Sequence, residues 1–253
     1  MSEPTPAEPV MPDESPAAER NPYWDYRDLA LFIGMAVPSL VTAVLAVKLI
    51  LWLAGPLQGG RALEVLLGQF TGYGLWFLGL YGLLRARYGR PFWRSLGWVV
   101  PPRGLLKSLL LGPAVALWVV FVGVAMNTPE VDMPIRGLMR DRFSVLLMGI
   151  FATTLGPLCE ELAFRGFLWP LLARSFGAAA AIILSALPFA VLHGPQYGWS
   201  WRHVLLIALA GMAFGWSRWR TGSTMAATGM HATYNLSYFT AFLIQGGSSR
   251  GPW

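Results

Sequence analysis

Long apolar runs, broken by short polar or Gly/Pro-bearing turns, set the pattern of this chain. They cover residues 29–53, 63–84, 105–126, 143–159, 178–192, 204–216 and 224–244. A helix that crosses a bilayer takes about 20 residues, so the pattern predicts membrane spans joined by short loops. The fold class expected is all-α: a polytopic transmembrane helix bundle of about seven to eight spans, seven by direct count. Pro38 is placed to kink the first span, and Lys48 near its end can snorkel to the interface.

Residues 1–28 break the pattern. They are rich in Pro, Glu and Ala, carry seven acidic residues and have no aliphatic run, so a disordered tail is expected. The apolar stretch that follows is too long for the h-region of a signal peptide. The organisation expected is thus a tail over 1–28, N-terminal spans and loops over 29–142, a catalytic four-helix membrane core over 143–245, and a tail over 246–253.

Composition strengthens the membrane reading. Of the 253 residues 55% are hydrophobic and only 13% charged, against about 25% charged in a typical soluble domain. The formal charge of +6 gathers in short loops, chiefly Arg85, Arg87, Arg90, Arg94, Arg103 and Lys107. That distribution signals topology, places the loop and the N-terminus in the cytoplasm, and does not form a nucleic-acid surface. Anionic lipid head groups are a further use for the same loop. The single cysteine excludes an intramolecular disulfide. Cys159 is read as a small hydrophobe packed against a neighbouring helix rather than a nucleophile.

Against this background, charge inside the apolar runs is informative, because charge in or beside a bilayer costs a few kcal/mol upward and is normally paired and functional. Glu160 and Glu161 adjoin at the end of the fourth run, with Arg165 four residues on. On a helix Glu161 and Arg165 share a face in the favourable order for an ion pair, while Glu160 points about 100° away. Glu161–Arg165 is therefore read as a clasp and Glu160 as the group free to act. The bland alternative is that both glutamates snorkel to an interface. The midpoint between Glu160 and His193 falls at the expected reversal near Phe176–Gly177, so a helical hairpin brings the two to one depth. His231 and Asn235, four apart, share a face of the last helix. His203 beside Trp201 and Arg202 is read as interfacial.

A carboxylate near an imidazole in a low-dielectric cavity can hold and deprotonate water, and a second imidazole with an amide can donate to a developing oxyanion. The set suits amide hydrolysis. It also offers Glu160, His193 and His231 as three ligands for Zn²⁺, although no His-Glu-x-x-His motif accompanies them. There is no Gly-x-Ser-x-Gly elbow.

Glu160-Glu161-x-x-x-Arg165, Phe189-x-x-x-His193 and His231-x-x-x-Asn235 resemble the three motifs of the CAAX-protease and bacteriocin-processing family, also called the Abi family, over about residues 143–242. The stretch Arg94-Ser95-Leu96-Gly97-Trp98 also looks like the family's region before the core. The resemblance implies an intramembrane glutamate protease of the type II CAAX prenyl endopeptidase kind, in the EC 3.4 class. Glu160 and His193 would then activate water, His231 and Asn235 would form the oxyanion hole, and Glu161 and Arg165 would support them, with no metal or other cofactor. The prenyl proteases usually have eight spans, against the seven counted here, and some relatives act in immunity or as scaffolds.

The function expected is intramembrane cleavage of a peptide or protein substrate, with lipidated chains among the candidates, by a multi-pass protein of the cell membrane. Two alternatives are a non-catalytic immunity or scaffold protein of the same fold and a proton-coupled transporter. Equal depth for all four polar groups further requires the Glu161–Gly177 hairpin to protrude ~12 Å beyond the Arg218–Gly222 turn, at ~1.5 Å per residue.

Overall fold

The computed structural model describes residues 21–55, 60–139 and 141–245, and among them the chain is entirely helical apart from connecting turns. Helices α1 (Tyr26–Ala54), α2 (Gly60–Tyr88), a short α3 (Phe92–Ser95) and α4 (Leu105–Ala125) make up the first half. The second half holds α5 (Arg142–Thr153), α6 (Leu155–Glu161), a π-helical stretch (Leu162–Leu168), α7 (Trp169–Phe176), α8 (Ala178–Leu192), α9 (Trp201–Thr221) and α10 (Thr224–Ile244). Helix is thus found at each of the seven apolar runs. Three segments are long and apolar enough to cross a membrane by length and composition: Tyr26–Ala54, Leu105–Ala125 and Arg142–Phe176, with mean hydropathies of 2.3, 2.2 and 1.5. Ala178–Leu192 is a shorter apolar helix.

Helix boundaries follow local chemistry. Asp25 caps α1, accepting from the Arg27 and Asp28 amides, while Asp28 reaches back to the Asp25 amide at 3.0 Å. Asp141 caps α5 through the Ser144 amide and Ser223 caps α10 through the Ala226 amide. Each side-chain oxygen satisfies an amide that the first helical turn leaves without a partner. Gly222, at φ +67°, ends α9 in the left-handed region where a side chain would be strained.

Two expectations are revised. The tail expected over 1–28 lies outside the described residues as far as residue 20, as does that over 246–253. Residues 21–28, however, are packed: Trp24 and Asp28 are buried, and Asp28 accepts from Arg87 Nη1 at 2.5 Å and Tyr88 Oη at 2.7 Å. Composition averaged over 28 residues hid the Tyr23–Trp24 pair and the Asp25-x-x-Asp28 capping box. Second, the fourth apolar run does not stop at Cys159. Helical backbone continues to Phe176, placing the glutamates in the middle of a 35-residue segment that reverses at Gly177.

Helix α10 is the axis of the second half, packed against α4, α5 and α9, while α1 pairs with α2 and α8 with α9. Gly215 lies against Ile182, and Gly211 against Ala186 and Phe189, so α8 and α9 run antiparallel. Gly177 is five residues from Ile182 and Gly222 is seven from Gly215, an offset of ~3 Å at ~1.5 Å per residue. The ~12 Å protrusion expected of the hairpin is not found along this contact. The estimate assumed strictly parallel helices, whereas packed helices cross at an angle and so bring together groups at unequal distances from their turns.

The α4–α10 contact is the closest approach tied to a glycine. A Cβ on Gly112 would come within 2.5 Å of the Met230 carbonyl and 2.8 Å of the Tyr234 amide, both backbone atoms that cannot swing away. Gly112→Ala is therefore expected to destabilise the protein by about 1–3 kcal/mol through overpacking, read as a lowered Tm in detergent. A wild-type Tm would mean that the two helices can part at no expense.

Candidate active site

The site begins with two departures from α-helical geometry. Pro157 has no amide to offer the Thr153 carbonyl, and the backbone breaks at Thr154, where φ is −131° and ψ −76°. The hydroxyls of Thr153 and Thr154 turn back to the Gly149 and Ile150 carbonyls at 2.7 and 2.6 Å. Helix α6 restarts there and carries Cys159, Glu160 and Glu161. The π-helical stretch follows at once and carries Arg165. Such stretches frequently occur at functional sites, since the wider turn re-aims side chains.

Glu161 and Arg165 are both fully buried. Arg165 Nη1 donates to Glu161 Oε1 at 2.9 Å, and its Nη2 donates to the Gly211 carbonyl at 2.6 Å. The guanidinium also lies 4.7 Å from the Phe189 ring centre and 5.6 Å from that of Phe214, a favourable cation–π arrangement in a dry site. Glu161 Oε1 accepts a second bond, from His231 Nδ1 at 2.9 Å. The clasp expected between Glu161 and Arg165 is thus present, and it extends to the last helix.

Glu160 points elsewhere, as the 100° step predicts. Its Oε2 is 3.9 Å from His193 Nε2 and 3.8 Å from His231 Nε2. Glu160 and His193 side chains are 24% and 21% exposed, against none for Glu161 and Arg165, so a small molecule can reach the first pair but not the second. The tautomers follow from the acceptors. His193 Nδ1 faces the Phe189 carbonyl at 2.7 Å and His231 Nδ1 faces a carboxylate, so in each neutral ring Nδ1 holds the hydrogen and Nε2 keeps its lone pair. Three acceptors therefore converge at distances too long for a direct hydrogen bond and right for a bridging group. Phe214 stacks on His231 at 4.4 Å and 17°, holding the ring plane.

Asn235 is on the same face of α10, and its Nδ2 donates to the Ala152 carbonyl at 2.7 Å, next to the break at Thr154. One amide hydrogen is thereby committed to the backbone of α5, and one remains. All six residues singled out in the sequence, Glu160, Glu161, Arg165, His193, His231 and Asn235, lie in this one cluster. His203 is apart from it, paired with Ser200 and stacked on Tyr197. Among the described residues no group of three or more His, Cys, Asp or Glu has the geometry of a metal site.

Several participants were not expected. Gly211 supplies only a backbone carbonyl, which no side-chain pattern announces. Phe189 was noted only as the first residue of a motif, and Phe214 not at all. Tyr73 of α2 stacks on Phe151 and receives a hydrogen bond from Gln69 at 3.3 Å. Pro157 inside an apolar run was the one legible sign of the break.

An all-helical membrane protein with a half-open carboxylate–histidine centre is the class that fold and site define. Residues 142–237 match the family described as type II CAAX prenyl endopeptidase Rce1-like, 96 of the 253 residues. That match makes this part of the chain similar to the CAAX-protease and bacteriocin-processing family. No curated protein and no solved structure matches the chain.

The buried clasp yields a stability test. Glu161→Gln or Arg165→Met alone leaves one charge buried without its partner and is expected to destabilise by about 3–5 kcal/mol. The double variant Glu161→Gln/Arg165→Met removes both charges and should unfold at a higher temperature than either single variant. Additive losses in Tm would show that the two residues do not act as a pair.

Proposed function

We propose that the protein is a membrane-embedded endopeptidase in which Glu160 and His193 activate a water molecule. The observation that carries this reading is the meeting of Glu160 Oε2 with the two imidazole Nε2 atoms at 3.8–3.9 Å. A water between them donates one hydrogen to Glu160 and the other to His193, and its lone pair attacks the scissile carbonyl. Glu160 takes the proton as the C–O bond forms and passes it to the leaving amine as the C–N bond breaks. The oxyanion formed in between is held by the free amide hydrogen of Asn235 and by His231 when that ring has taken a proton from solvent on Nε2 before the substrate binds, a proton it keeps through the cycle.

The family match supports a peptide or protein substrate, with prenylated chains of the CAAX type among the candidates, entering from the membrane or the cytoplasmic side. The spanning bundle is read as seven helices, with the last four enclosing the cavity. Sidedness is supported by the basic groups gathered at one end. Arg174 donates to the Pro22 carbonyl, Arg87 pairs with Asp28, and Arg218 donates to the Arg165 carbonyl beside the Leu96–Val99 loop. The positive-inside rule puts that end, and the N-terminus, in the cytoplasm.

Purified protein in detergent with a quenched prenyl-CAAX peptide tests the mechanism. Glu160→Gln should lower kcat by at least about 100-fold, the usual size of a general-base contribution, and a chelator should leave the wild type unchanged. Loss with chelator that Zn²⁺ restores would replace the metal-free mechanism by one with Glu160, His193 and His231 as ligands. Full cleavage by the variant would remove Glu160 from the chemistry, and no cleavage by the folded wild type would favour an immunity or scaffold role.

An N-terminal epitope should be digested by added protease only in inside-out vesicles. Digestion in right-side-out vesicles would reverse the assigned orientation.

A further inference from the structure

Residues 22–28 lead into and form the first turn of the first membrane helix and lie far outside the matched 142–237 domain, yet they are bonded to the segment that carries the carboxylates. Trp24 is 1% exposed, and its Nε1 donates to the Phe167 carbonyl at 3.1 Å, inside the π-helical stretch and two residues beyond Arg165. Its ring stacks on the Phe167 ring at 5.2 Å and 20°, and Phe32 of α1 closes on the same ring edge-on at 5.2 Å. On either side the strand of chain is tied down again. Arg174 of α7 donates to the Pro22 carbonyl at 2.5 Å, and the Tyr26 hydroxyl bonds Ser175 at 2.7 Å. Asp28 anchors the far end on α2 through Arg87 and Tyr88.

A π-helical stretch is less well bonded internally than an α-helix and persists where its surroundings over-determine it. Here the surroundings on the side away from the site are Trp24, Phe32, Leu80, Leu84 and Leu96, which pack with Leu162, Phe167 and Leu171 in one buried cluster. We propose that residues 22–28 are a strap that holds the π-helical stretch in register, with Trp24 as a positioning residue for Glu160 and Glu161. Without the strap the stretch relaxes toward α-helical geometry, and Glu160 turns away from the two imidazoles. The proposal rests on the reading of Glu160 as the acting base, but the register of the segment can be read without any cleavage.

Cys159, the single cysteine of the chain and the neighbour of Glu160, is the probe. Full-length protein in detergent is treated with N-ethylmaleimide, and the rate of Cys159 alkylation is followed by mass for wild type, Trp24→Ala, Trp24→Phe and Gly123→Val. The last variant crowds Leu206, 3.2 Å from a Cβ at Gly123, across the α4–α9 contact and controls for general destabilisation. Trp24→Ala is expected to change the alkylation rate severalfold and to lower kcat on the prenyl-CAAX peptide with KM unchanged. Trp24→Phe, which keeps the stacked ring, should recover most of both. The strap is overturned if both Trp24 variants alkylate at the wild-type rate, or if Gly123→Val at matched Tm loss gives the same change. If the wild type cleaves nothing, the endopeptidase reading fails while the alkylation rates still decide the strap.

Discussion

One fully buried ion pair organises the second half of the molecule. Glu161 and Arg165 sit in apolar surroundings where an isolated charge is untenable, so every neighbour has to serve them. The Gly211 carbonyl comes from α9, His231 from α10, and the rings of Phe189 and Phe214 from α8 and α9. Three helices are thereby bound to the fourth at one depth. The pair need not add net stability to do this. It makes any other register of the four helices expensive, because a slip of one residue would strand a charge.

The carboxylate next door inherits that order without sharing its burial. Glu161 binds one nitrogen of His231, which leaves the other facing Glu160, and so the structural pair orients half of the candidate chemistry. The opposite half is set by the Phe189 carbonyl on His193. Asn235 adds a constraint from a different direction, tying α10 to the backbone at the Thr154 break. Two irregularities, the break before α6 and the π-helical stretch after it, bracket the glutamates. Backbone departures of this kind are costly inside a membrane unless protein groups satisfy them, which the threonine hydroxyls and Asn235 do.

The first half is more than a set of anchors. The Leu96–Val99 loop lies between the π-helical stretch and the start of α10. The Thr224 amide and hydroxyl donate to the Gly97 and Leu96 carbonyls at 2.8 and 2.6 Å, and Gly166 abuts Leu96. Gly97, at φ +69°, admits this approach because a side chain there would strike Arg218. The resemblance of Arg94–Trp98 to the family's region before the core thus corresponds to a physical joint between the halves, outside the residues of the family match.

The sequence by itself determined the helical class, the seven apolar segments and the six polar side chains of the centre. Those features are local or periodic: hydropathy reports the environment, and i,i+4 spacing reports the shared face of a helix. Fourfold spacing correctly separated Glu161 from Glu160, and chain midpoint symmetry correctly paired Glu160 with His193. Tertiary structure decided the rest. The carbonyls of Gly211, Ala152 and Phe189 leave no trace in residue identity, since every residue carries one. The π-helical stretch reads as ordinary helix because the same side chains suit both windings. Trp24 and Asp28 looked like part of a polar tail because their partners, Phe167, Arg87 and Tyr88, lie as many as 143 residues away, and only the packed fold brings them together.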